Sequence, residues 1–178
     1  YWGAYGEQNI VDPTERYRHD PSTPPSRTFT GPVHCVEPSN DGLIYVCDRT
    51  SDRIQVFKTD GTYLSETLIA PETGAQGSTW DLDFSRDADQ KFIYLADGQN
   101  QRVYIIERAT MEVLTMFGGG GRQPGLWFAP HSLATDSKGN IYTTETYEGK
   151  RIQKFLNKGI KGIPSADQGA PWPAGELN

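Results

Sequence analysis

The sequence predicts an all-β fold, on three observations. Short strand-like segments recur along the chain, Gly and Pro punctuate them, and the pattern repeats with a period near 49 residues. Tyr45, Tyr94 and Tyr142 stand in LIYVCD, FIYLAD and NIYTTE, 49 and 48 residues apart. Asp48, Asp97 and Glu145 close those segments, and Arg53, Arg102 and Arg151 follow at intervals of 49 and 49, each before a β-branched residue. Phe57 and Phe155 lie two periods apart, with Ile106 between them. Strand-rich units separated by turns and repeated at this period indicate a β-propeller, in which each small sheet stacks on its neighbours because it cannot bury both faces alone.

The clearest unit spans residues 31–57. Residues 33–37 read as an inner strand, Ser39, Asn40, Asp41 and Gly42 as a tight hairpin turn, 43–47 as a second strand and 53–57 as a third, after a polar corner at 48–52. The unit continues to an outer strand at 62–69, giving a blade over 31–69. A second blade occupies 70–118, with extra residues at 86–90 in its inner hairpin. A three-stranded blade occupies 119–156. At each corner the carboxylate ends one strand and the Arg begins the next, so Asp97 with Arg102 and Glu145 with Arg151 are expected to pair.

Residues 1–6, YWGAYG, are expected to be the outer strand of a preceding blade, by analogy with LTMFG at 114–118. Residues 7–30 form a long Pro-rich loop, a lid or contact surface on one reading and an ordinary loop on the other. The four glycines at 118–121 precede no helix, which argues against a phosphate cradle and leaves a flexible turn. Residues 157–178 read as an irregular tail. Three blades do not close a ring. Either the chain is the C-terminal half of a longer propeller, the preferred reading, or two copies complete one ring.

Composition narrows the partners. With Lys+Arg 17 and Asp+Glu 23 the net charge is −6, which argues against nucleic acid. No apolar run is long enough to span a bilayer, and no signal peptide is visible. The chain begins at Tyr1 rather than Met, so its natural start is expected to be missing. Cys35 and Cys47 fall nearly opposite each other when the hairpin folds. A cross-strand disulfide and two buried thiols both fit, the thiol pair being the commoner case. The cysteine count leaves the compartment open; a secreted or periplasmic location is expected.

The chemistry-bearing residues sit at the starts of the inner strands. His34 in GPVH and His131 in FAPH occupy equivalent places, and Trp80 in GSTW stands there in the blade between. Alternate blades of a six-bladed ring lie about 120° apart, so His residues at this position converge on the axis. Three of them would hold one Zn²⁺ with an open position for water or substrate. Two are present here, and a third is expected in the missing blades.

The Asp-x-x-x-x-Arg pattern resembles NHL repeats over 1–155. Within that group, VHCVEPSNDGLIYVCDRTSDRIQVF is similar to a blade of peptidyl-α-hydroxyglycine α-amidating lyases, and APHSLATDSKGNIYTTET is similar to their last blade. The resemblance implies that His34 and His131 bind zinc and that Arg49 is catalytic. It implies a lyase that releases glyoxylate and an amide, with a peptide or other small molecule as ligand. Ser132 stands where these lyases have a calcium-binding Asp, so a Ca²⁺ site is doubtful. The family's catalytic Tyr belongs to a blade before Tyr1; Tyr147 and Glu145 lie near the same rim. Two other functions fit the fold: a non-catalytic platform that binds a protein or small ligand on its 7–30 face, and a sugar-lactone hydrolase with a calcium held by residues such as Asp97, Asn100 and Glu145.

Overall fold

A computed structural model describes residues 1–8 and 19–159. Among these residues, eleven strands form three antiparallel sheets. The first contains β1 (Val33–Pro38), β2 (Leu43–Asp48), β3 (Arg53–Lys58) and β4 (Tyr63–Leu68) in chain order. The second contains β5 (Asp81–Phe84), β6 (Phe92–Asp97), β7 (Arg102–Glu107) and β8 (Glu112–Phe117). The third contains β9 (Pro130–Thr135), β10 (Ile141–Glu145) and β11 (Ile152–Phe155). No helix among the described residues is long and apolar enough to cross a membrane.

Each sheet buries a face against the next because its strands alternate. Cys35, Tyr45, Cys47, Ile54 and Val56 project from the first sheet into one core with Leu82, Phe84, Ile93, Leu95, Tyr104 and Ile106 of the second. Ala96 and Val103 meet Trp127, Leu133 and Ile141 in a second core. The inner strands are tied by side chains bonding to the next strand's backbone. Asp81 accepts from Leu133 N at 2.9 Å, and Asp83 accepts from Thr135 N at 2.7 Å.

Residues 1–6 do not form the expected outer strand. Ala4–Gly6 is a 3-10 turn, with Tyr5 at φ 58 and Gly6 at φ 74. A Cβ at Gly6 would lie 2.5 Å from the Gly61 carbonyl oxygen, so only glycine allows this approach. The turn docks on the free face of the first sheet: Tyr5 N donates to Gln55 Oε1 at 3.2 Å, its hydroxyl donates to Glu66, and Trp2 meets Phe57. Of the long loop, residues 9–18 lie outside the described residues. Residues 26–30 run over the same face, held by Arg53, which donates to the carbonyls of Ser26 and Thr28 at 2.8 and 2.9 Å. Of the tail, residues 160–178 lie outside the described residues.

Two of the three corners follow the expected acid–Arg pairing. Arg53 and Asp48 meet at 2.9 Å with both side chains fully buried, and Arg151 pairs with Glu145. The second corner departs from it. Asn100 bonds Asp97 through its backbone N at 2.8 Å and its amide at 2.7 Å, so Asp97 is satisfied without Arg102. Arg102 instead donates to the Asn100 carbonyl and reaches the Met116 sulfur.

The glycine run is a pinned turn rather than a flexible one. Gly119 O accepts from Trp127 N at 2.8 Å, and Gly121 N donates to Trp127 O at 2.9 Å.

Cys35 and Cys47 are disulfide-bonded, which corrects the preference for free thiols. The register places them directly opposite, with Cα atoms 4.9 Å apart, inside the range a disulfide spans. The bond closes a short loop, with a sequence separation of 12. The double substitution Cys35→Ser/Cys47→Ser is expected to lower stability by about 2–3 kcal/mol, read as a lower urea midpoint.

Candidate functional site

The inner strands β1, β5 and β9 bring His34, Trp80 and His131 side by side. The imidazole centroids of His34 and His131 are 4.8 Å apart, and each lies against Trp80, at 5.6 and 5.3 Å. Both histidines are bulge residues. Pairing in the first hairpin shifts between Val33 and Cys35, which leaves His34 without a partner in β2. Pairing in the third shifts between Thr144 and Glu145, which leaves His131 without one in β10. A bulge re-aims the side chain it frees, and here it does so twice at one place.

The His34 ring is fixed by its Nδ1, 2.5 Å from the Trp80 carbonyl oxygen. A carbonyl only accepts, so Nδ1 carries a proton, and in the neutral ring the lone pair falls on Nε2. That is the form in which an imidazole binds metal, with its other nitrogen bonded to a carbonyl. His131 is held below the usual imidazole pKa by burial, then by His34 and Arg49, with Asp81 opposing. It is therefore neutral at pH 7 and also able to donate a lone pair.

Arg49 opens the 3-10 turn Arg49–Ser51 that follows β2. Its guanidinium lies over the Trp80 ring at 4.7 Å, and its Nη2 donates to Gln76 Oε1 at 2.7 Å. Its Nε is buried without a partner. Burial lowers the Arg49 pKa, and the nearby Tyr147 opposes that. Trp80, 2% exposed, is the shared platform. Its Nε1 donates to Gly77 O at 2.7 Å, and Gly98 lies so close that a Cβ there would be 2.6 Å from the indole.

All three residues expected at the site, His34, His131 and Arg49, thus surround one tryptophan. The bulges, the platform and Gln76 were not foreseen. Trp80's place in the His column was the one visible signal. Among the described residues, no group of three or more His, Cys, Asp or Glu is arranged to hold a metal. Ser132 is bonded to Asp81 Oδ2 at 2.5 Å. Asp97 is bonded to Asn100, and Glu145 to Phe128 N, Gln153 and Arg151. These groups are committed to the corners. An open groove of about 370 Å³ lies at the other end of β9, lined by Asp136, Lys138 and Lys154 among others, and includes neither imidazole.

Asp52 links this corner to the next blade. Its backbone N donates to Arg49 O, and its Oδ1 accepts from Ser78 N at 2.6 Å. Oδ2 is buried without a hydrogen bond, 3.7 Å from His19 Nε2. Burial pushes the Asp52 pKa up to about 6; Ser78 and His19 oppose this, and Asp97 adds to it. A raised carboxyl pKa means that the native state holds the proton where the unfolded chain has lost it. The stabilising contribution is complete below the ordinary value near 4 and is lost as pH rises through about 6. Asp52→Asn is therefore expected to raise stability at pH 7.5 by on the order of 2 kcal/mol and to flatten its pH dependence between pH 4 and 7, measured by urea unfolding across that range.

No family model matches the sequence. Solved structures do share the fold. A β-propeller domain of Cps50 (Swd1) from Myceliophteria thermophila matches 72% of this chain and 39% of its own, at TM-score 0.52 and 13% identity. This chain has a β-propeller fold. A structure named streptogramin B lyase matches 81% of this chain at TM-score 0.53 and 19% identity, over 42% of its own length. A candidate 6-phosphogluconolactonase from Bacteroides uniformis matches 73% at TM-score 0.54 and 21% identity, over 38% of its own length. The likeness is one of fold, and the propeller blades of this chain span about two fifths of each of these structures.

Proposed function

We propose that these blades belong to an NHL-type propeller with a zinc-dependent, amidating-lyase-like site on its axis. The observation that carries the reading is the pair of imidazoles 4.8 Å apart, one of them bonded through Nδ1 to a carbonyl and so presenting Nε2. His34 and His131 are the chain's two ligands. The remaining ligand and the proton-transferring Tyr come from further blades, supplied by a longer chain or by a second copy. Zinc, when bound, would supply Lewis acidity at the hydroxyl of an α-hydroxyglycine.

The chain's own residues do the rest. His34 is held in one tautomer, and His131 stays neutral and able to ligate. Arg49 presents a cation, placed over the Trp80 ring, to the negative charge that develops as glyoxylate leaves. The disulfide joins the strand of His34 to the strand that leads into Arg49, and it accords with a secreted or periplasmic location.

The second reading is a lactone-hydrolysing propeller, favoured by the fold shared with the candidate 6-phosphogluconolactonase. With Asp97, Asn100 and Glu145 bonded within the corners, it would draw on Glu37 and Asp81. Glu37 has a pKa raised by burial and then by Asp81 and Asp83.

Glyoxylate release from an α-hydroxyglycine peptide, assayed beside hydrolysis of a sugar δ-lactone, separates the two. The lyase reading expects zinc-dependent glyoxylate and a loss of about 100-fold in Arg49→Ala. Lactone turnover without glyoxylate rejects it.

A further inference from the structure

Arg49 meets no carboxylate, whereas several arginines of the chain do. Arg53, Arg86, Arg108 and Arg151 each meet a carboxylate. Arg49 meets an amide: Nη2 donates to Gln76 Oε1 at 2.7 Å, and the buried Nε has no partner. Gln76 stands on the link between β4 and β5, and its backbone N is bonded to Gln99 Oε1 at 3.4 Å. The next residue in the link, Gly77, presses on the same corner. Its φ is +75, and a Cβ there would come within 1.8 Å of the Arg49 carbonyl oxygen. Its own carbonyl accepts from Trp80 Nε1 at 2.7 Å. Consecutive residues of one link therefore touch Arg49 and the ring on which it lies.

The choice of an amide has a physical consequence. An arginine side chain has much rotational freedom to lose when its head is fixed. A carboxylate would fix it, but it would also neutralise the charge and compete with any incoming anion. A glutamine fixes the direction of one N–H and leaves the full positive charge in place. We infer that Gln76 is a positioning residue, which holds the Arg49 guanidinium over Trp80 with its charge unspent for an anionic group of the ligand. This rests on the reading of Arg49 as the cation of the axial site.

The test uses phenylglyoxal, which attacks the neutral guanidine. Modification of Arg49 is followed by peptide mass mapping at pH 8 in the wild type, Gln76→Glu and Gln76→Ala, with Arg122 in the same samples as the internal reference. Gln76 is exposed, so both variants are expected to fold. A carboxylate introduced beside the guanidinium raises its pKa, and one unit cuts the reactive fraction tenfold. Gln76→Glu is expected to slow Arg49 modification about tenfold relative to Arg122, and Gln76→Ala to speed it. In the glyoxylate assay, Gln76→Glu is expected to lose more kcat than Gln76→Ala, because the introduced carboxylate neutralises the cation as well as removing the amide. A purely structural role would make the two losses equal. Equal Arg49 modification rates in all three proteins would overturn the inference. A wild type without turnover would strike only at the lyase reading, because the modification rates do not depend on it.

Discussion

Asp48→Ala is expected to cost about 3–5 kcal/mol, the range for breaking a fully buried ion pair by removing one partner. Arg53 and Asp48 are both 0% exposed, and the substitution leaves the guanidinium buried with less compensation. Glu66 remains 3.3 Å away and is partly exposed, which places the loss toward the lower end of that range. The damage extends beyond one pair. Asp48 also accepts from Thr30 N and Thr30 Oγ1, and Arg53 holds the carbonyls of Ser26 and Thr28. Removing the carboxylate therefore loosens the segment that covers the first sheet. Asp48→Asn keeps an acceptor and should fall between the two. Glu145→Ala should cost less, because Arg151 is 26% exposed. Urea unfolding of the four proteins gives the order directly.

Gly118→Ala is expected to be as damaging, again by about 3–5 kcal/mol. Gly118 has φ +92, and a Cβ there would lie 1.7 Å from the Trp127 ring. Trp127 is fully buried, packed on Phe117 and Phe155 at 5.6 and 5.2 Å, and its Nε1 donates to Thr143 Oγ1 at 2.9 Å. The methyl group and the indole cannot share that space, so the substitution evicts the largest side chain of the second core. Its cost approaches that of losing the tryptophan. The neighbouring glycine is the control. A Cβ at Gly119 would meet only Leu126, at an ordinary 3.7 Å, and its φ is not positive. Gly119→Ala should stay within about 0.5 kcal/mol of the wild type. Equal melting temperatures for the two variants would show that Trp127 does not rest on Gly118.

The features visible in the sequence were the periodic ones. The Tyr and Arg columns mark strand positions that recur in every blade, so spacing alone locates β2, β6 and β10 and the strands after them. The alternate-blade placement of His34 and His131 was legible for the same reason. What escaped depends on contacts between distant segments. The glycine run looks flexible until Trp127 is placed against it. Asp97 and Arg102 stand in the right columns, but Asn100 reaches the carboxylate first. Residues 1–6 carry the apolar pattern of a strand, yet the close approach of Gly6 to Gly61 turns them into a 3-10 turn on the sheet face. The two bulges add one residue each to a hairpin, a change that shows only in the pairing. That change brings the imidazoles together.

The most direct measurement is the zinc content of the assembled propeller, determined by elemental analysis after reconstitution and removal of free metal. The site proposed for His34 and His131 requires one tightly held zinc per ring, lost in the His34→Ala/His131→Ala variant while the fold persists. A reconstituted wild type without zinc, or a variant that retains it in full, would contradict the account.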